Sequence, residues 1–118
     1  MSAITHVGTV IVPVADQDAA LAFYTGTLGF EVRMDGEFAP GLRWLEVAPP
    51  GATTTLALVP NDGHEVSFAT RDAAAEHAAL RERGVDADAE LMRMGEGVPP
   101  MFTFRDPDGN RFRVVERD

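Results

Sequence analysis

The chain has 118 residues, 45% of them apolar and 25% charged, with 10 basic against 19 acidic side chains and a net charge of −9. This is enough for one domain with a real core, and the acid excess argues against nucleic acid or an anionic membrane as partner. The acid excess serves solubility ahead of any attraction for a cationic ligand. There is no cysteine, hence no disulfide framework, thiolate metal site or thiol nucleophile. No apolar run approaches the roughly 18 residues of a membrane span, and the N-terminus lacks the basic start and apolar core of a signal peptide. A cytoplasmic address is expected.

Val7 to Val14 is β-rich and apolar on both faces, as in a strand covered on both sides. Asp16 is placed to cap a helix in which Ala20, Leu21, Tyr24 and Leu28 form a stripe, and Gly29 suits the left-handed residue that ends it. Strands are predicted at Phe30 to Met34, Arg43 to Val47 and Thr54 to Val59. Asn61-Asp62-Gly63 interrupts the pattern and sets a module boundary between residues 61 and 62. Glu65 to Thr70 then alternates as a fifth strand. Asp72 caps a second alanine-rich helix that stops at Gly84, with Ala75 and Leu80 facing inward. Val85 to Leu91 is a weaker strand. Met101 to Arg105 and Asn110 to Glu116 form a hairpin around Asp106-Pro107-Asp108-Gly109, where proline presets one dihedral and glycine permits a positive φ. Met92 to Pro100 is irregular and suits a mobile loop, with Met92, Met94 and Met101 available as an adaptable apolar lid. The order is βαβββ twice, residues 1–61 and 62–118.

Phe23-Tyr24 followed by Leu28-Gly29-Phe30, the second helix ending in Arg83-Gly84-Val85, and Asp106-Pro107-Asp108-Gly109-Asn110 together resemble the vicinal oxygen chelate superfamily. That superfamily includes glyoxalase I, bleomycin and fosfomycin resistance proteins and extradiol dioxygenases. The resemblance spans nearly the whole chain. It implies an α+β fold of two βαβββ modules with mixed sheets curled into a cup, usually assembled as a homodimer. It also implies, in the enzymes, a divalent metal held by His and Glu ligands from the first, fourth, fifth and eighth strands.

Counted onto this chain, those four positions are Thr9, Leu56, Glu65 and Arg113. A single carboxylate cannot close a Zn²⁺ or Ni²⁺ site, and a guanidinium repels a cation at the same point. The expectation is therefore no metal and no cofactor, with Glu65 and Arg113 forming an ion pair where the enzymes hold the ion. Strand alternation adds Ser67, Met101 and Thr103 to the same lining, and Trp44 as an aromatic wall. Phe68, Phe112 and Val114 have the opposite parity and are expected beneath the helices, in the core with Leu21, Phe23, Leu28 and Leu80. His6 faces away from Thr9, His77 lies within a helix, and Glu116 has the wrong parity for Arg113's face. Glu46 and, after a one-residue shift, His64 are the alternative ligands.

The function implied is metal-free binding of a small organic molecule, as in the antibiotic-binding branch, anchored by Thr9, Glu65, Ser67 and Arg113. A second reading is a glyoxalase- or dioxygenase-type enzyme with displaced ligands. A third is an interaction or regulatory module with an unused cup. No nucleophile elbow, P-loop, HExxH or dinucleotide fingerprint is present.

Overall fold

A computed structural model describes residues 3–61 and 63–117. Met1, Ser2 and Asp62, which entered the readings of the N-terminus and the module boundary, lie outside the described residues. The order is β1 (Ile4–Pro13), α1 (Gln17–Leu21), β2 (Glu31–Ala39), β3 (Leu42–Ala48), β4 (Thr55–Val59), β5 (Glu65–Thr70), α2 (Ala73–Glu82), β6 (Asp86–Ala87), β7 (Met101–Arg105) and β8 (Arg111–Glu116). This is an α+β chain with βαβββ occurring twice. Among the described residues no helix is long and apolar enough to cross a membrane.

The chain forms two compact units. One is Thr9–His64; the other joins the residues through Gly8 to the chain from Glu65 onward. β1 is shared, its first half counting with the second of these.

In the Thr9–His64 unit the strands run in the order β2-β3-β4-β1. β1 and β4 are parallel, with Thr9 opposite Thr55 and Pro13 opposite Val59. β3 is antiparallel to both β2 and β4. Alternation along these strands makes two faces. On one, Leu45, Val47 and Leu58 are buried against Val12, Ala20, Leu21, Tyr24, Phe30 and Leu56. On the other, Ile11, Ala57 and Val59 pack with Trp44. Each fully buried leucine or valine contributes on the order of 1.5–3 kcal/mol.

Asp16 caps α1, its carboxylate accepting from the Ala19 amide at 3.0 Å. The expected single α-helix is shorter than predicted. After Leu21 the chain widens into a π-helical stretch, Ala22–Thr27. The Leu28 amide reaches back to the Phe23 carbonyl at 3.1 Å, and the Thr25 hydroxyl donates to the Leu21 carbonyl at 2.7 Å. That side-chain bond occupies the carbonyl and helps hold the turn open. The extra residue rotates the stripe: Tyr24 stays inward, whereas Phe23 and Leu28 are 50% and 47% exposed. Both were expected in the core. Gly29 adopts φ +77° and ends the segment.

In the other unit the order is β1-β5-β8-β7-β6, again with one parallel pair, β5 and β8, and antiparallel neighbours β7 and β6. Leu80, Ala87, Phe102 and Val114 are buried with Ile4, Val85, Leu91 and Phe104 against them. Asp72 caps α2 by accepting from the Ala75 amide at 3.0 Å. The His77 ring packs on Phe102 at 5.0 Å, and its Nε2 meets the Asp88 carbonyl at 2.7 Å. Gly8 runs close to β5; a Cβ there would stand 3.4 Å from that of Ala69. Phe68 and Phe112 were expected beneath a helix, but they are only half-buried and stack with Phe104 at centroid distances of 5.4–6.3 Å. β6 is two residues rather than the seven of Val85 to Leu91. The Met92–Pro100 segment is pinned where it meets β7, since Met92 and Met101 exchange amide–carbonyl bonds of 2.7 and 3.1 Å.

Candidate functional site

β5, β8 and β7 place Ser67, Arg113 and Thr103 side by side. Ser67 is opposite Arg113, and Arg113 is opposite Thr103. Glu65 and Met101, each two residues away on its strand, emerge on the same face. The other face carries Phe68, Phe112, Val114, Phe102 and Phe104, so a polar lining backs onto an apolar core. The expected ion pair is present, with Arg113 Nη2 3.6 Å from Glu65 Oε1 and side-chain exposures of 28% and 14%. This distance is beyond a good hydrogen bond, so the attraction is chiefly charge with charge. Arg113 Nε is buried with no hydrogen-bond partner, a state that costs about 1–3 kcal/mol. Ser67 and Thr103 are buried residues, and neither hydroxyl makes a hydrogen bond among the described residues.

The second polar group lies in the Thr9–His64 unit. Thr9 and Thr55 are joined through their hydroxyls at 3.1 Å. Thr55 donates to Glu46 Oε1 at 2.7 Å, and Trp44 Nε1 donates to Glu46 Oε2 at 2.5 Å. Glu46 is 1% exposed. β3 alternation brings Trp44 and Glu46 to one face, and the β1–β4 register brings Thr9 and Thr55 together. The Trp44 ring also meets Phe38 edge-on at 6.1 Å.

Leu56 is a correction. It lies opposite Val10 on β1 and Val47 on β3, and packs in the cluster of Leu45, Val47 and Leu58. Its side chain therefore leaves the opposite face from Thr9, and Thr55 is the β4 residue beside Thr9. The count was off by one, which reverses facing in a strand. The alternation Thr53, Thr55, Ala57 against Thr54, Leu56, Leu58 was the available signal.

Residues 3–114 match the family model described as the Glyoxalase/Bleomycin resistance protein/Dioxygenase superfamily. The chain belongs to this superfamily. YetH of Bacillus subtilis (strain 168) is 35% identical over 96% of this chain and 99% of its own. YurT of the same organism is 32% identical over 88% of this chain and 93% of its own. The crystal structure of methylmalonyl-CoA epimerase from Mycobacterium tuberculosis has a TM-score of 0.83 at 23% identity, covering all of this chain and 91% of that one. That likeness is one of fold.

The residues at the superfamily's metal positions do not fit a closed divalent site. The Thr9 hydroxyl is engaged with Thr55, Leu56 is apolar and faces elsewhere, and Glu65 has a guanidinium beside it. The alternatives are placed as follows. Glu46 is tied to Trp44 and Thr55. Glu116 caps α2, its Oε1 accepting from the Ala73 amide at 3.0 Å. His6 Nδ1 lies 2.9 Å from the Thr5 hydroxyl, and His64 is exposed. Among the described residues no three His, Cys, Asp or Glu side chains gather as a metal site.

Proposed function

We propose that this superfamily member is a receptor for a small organic molecule, held without a metal ion on the face formed by Glu65, Ser67, Met101, Thr103 and Arg113. The observation that carries the reading is Arg113. Its guanidinium is 3.6 Å from Glu65, and the resemblance places a metal ligand at its position. A fixed cation there repels a metal ion and still supplies the positive charge that a ligand oxygen needs. Ser67 and Thr103 add hydroxyls, and Met101 adds adaptable apolar contact.

Protein purified without chelator is expected to carry well under one equivalent of Ni, Zn, Fe or Mn. Some compounds in a small-molecule panel are expected to raise its melting temperature. A ligand at 100 times its Kd adds about 2.7 kcal/mol of stability. A full equivalent of tightly held transition metal would overturn the metal-free reading.

A second copy of this chain is the proposed partner. β2 ends the strand order of its unit, and all its residues but the last are exposed, Val32, Met34 and Phe38 among them. An exposed edge strand that carries Val32, Met34 and Phe38 invites uncontrolled pairing if left uncovered.

A further inference from the structure

On the β5–β8–β7 face three arginines meet three carboxylates, a balance unlike that of the whole chain, whose net charge is −9. Arg111 and Arg113 are two residues apart on β8, so both leave this face. Arg105, opposite Arg111 on β7, joins them. Arg105 is already engaged by Asp88 at 2.7 Å and Asp86 at 3.6 Å. Arg111 is exposed and makes no ion pair or side-chain hydrogen bond among the described residues. Arg113 has only the 3.6 Å contact with Glu65 and an unsatisfied Nε. Beside Arg113 stand the unbonded hydroxyls of Ser67 and Thr103. The face thus holds two incompletely used guanidiniums and two hydroxyls, with Glu65 as the carboxylate beside Arg113. What it lacks is an acceptor: Arg105 is held by Asp86 and Asp88, which leaves Arg111 and Arg113 with Glu65 alone.

We infer that the ligand is an organic monoanion whose carboxylate binds at Arg113, with Ser67 and Thr103 donating to it and Arg111 supplying longer-range attraction. This rests on the receptor reading above and names the chemical class of its ligand. A planar carboxylate accepts two parallel bonds from a guanidinium edge, satisfying Nε and a terminal nitrogen together. A small turn of the Arg113 side chain exposes that edge, and the loose Glu65 contact is what it gives up. Glu65 is a placeholder: it keeps the guanidinium oriented until the ligand carboxylate displaces it. A phosphate dianion fits less well, because its second charge adds to the repulsion from Glu65.

The test is calorimetry on the full chain with monocarboxylates from acetate to benzoate and naphthoate, each paired with its primary amide, and with inorganic phosphate. At least one carboxylate is expected to bind tenfold or more tightly than its amide, with affinity falling as salt rises. Arg113→Gln is expected to abolish that preference. Glu65→Gln is expected to tighten carboxylate binding several-fold by removing the competitor, and Arg111→Gln to weaken it by a smaller factor. Thermal melts confirm that each variant is folded; should Arg113→Gln fail to fold, Glu65→Gln decides, and unchanged or weaker binding there overturns the inference. Equal binding of acids and amides overturns the anion class while leaving the receptor reading intact. Tighter binding of phosphate overturns the carboxylate assignment. Absence of binding by every acid and amide overturns both.

Discussion

A carboxylate as deeply buried as Glu46 survives only with donors on its oxygens, and Trp44 and Thr55 supply them. Hydrogen bonds to a charged group are worth about 1.5–3 kcal/mol each. Glu46→Ala leaves two donors facing a small void, and is expected to cost about 3–5 kcal/mol in urea unfolding, with unchanged m-value. Thr55→Val keeps the volume and removes one donor, so its expected cost is smaller, about 1–3 kcal/mol. The sequence reading placed Glu46 as a possible ligand and missed Thr55 altogether. Neither residue type advertises a partner across strands; the β1–β4 register decides it.

At the scale of elements, two turns are set by local chemistry. Gly29 has a positive φ with nothing within 4 Å of where a Cβ would stand. The penalty for Gly29→Ala is therefore conformational alone, expected at about 1 kcal/mol, and a thermal melt measures it. In the β7–β8 turn, Asp106 Oδ1 accepts from the amides of Asp108 and Asn110 at 3.0 and 2.9 Å, and Oδ2 from the Asn110 side chain at 2.9 Å. Bonds from Asn110, above all, hold its carboxyl below the usual carboxylate range. A folded pKa depressed below the unfolded value, about 3.9, stabilises fully above that value. The contribution is lost as pH falls through the folded pKa. The melting-temperature gap between wild type and Asp106→Ala is therefore expected to be wide at neutral pH and to narrow as pH falls below the unfolded value. The first helix shows the limit of local reading. Its cap and stop glycine were legible, but the π-helical stretch between them was not, because a Thr hydroxyl bond to a carbonyl one turn back does not alter the apolar spacing.

For the molecule as a whole, the exposed edge strand β2 bears on assembly. Light scattering is expected to find a dimer, and Phe38→Asp on β2 is expected to shift it toward monomer without lowering the monomer's helix and strand content. A monomer for the unaltered chain at high micromolar concentration would remove the proposed partner. The surface is acidic overall, yet the β5–β8–β7 face is not. A sequence total averages over faces, so the sign of the charge at a site emerges only when strand register assigns each arginine and carboxylate to a side.

By itself the sequence determined the two βαβββ repeats, the caps at Asp16 and Asp72, the hairpin at Asp106 to Gly109, and superfamily membership. Each of these is carried by near neighbours in the chain, through turn dihedrals, caps and periodicity. The resemblance to the superfamily, counted onto the chain, was what brought Glu65 and Arg113 together, and the β5–β8 register carries them on one face. Tertiary structure decided the rest: that Thr55 rather than Leu56 stands beside Thr9, that Glu46 is buried, that Phe23 and Leu28 are exposed, and that Arg113 retains an unsatisfied donor. These depend on which residue of one strand lies opposite which residue of another, and a shift of one position, invisible in composition, moves a side chain to the other face of the sheet.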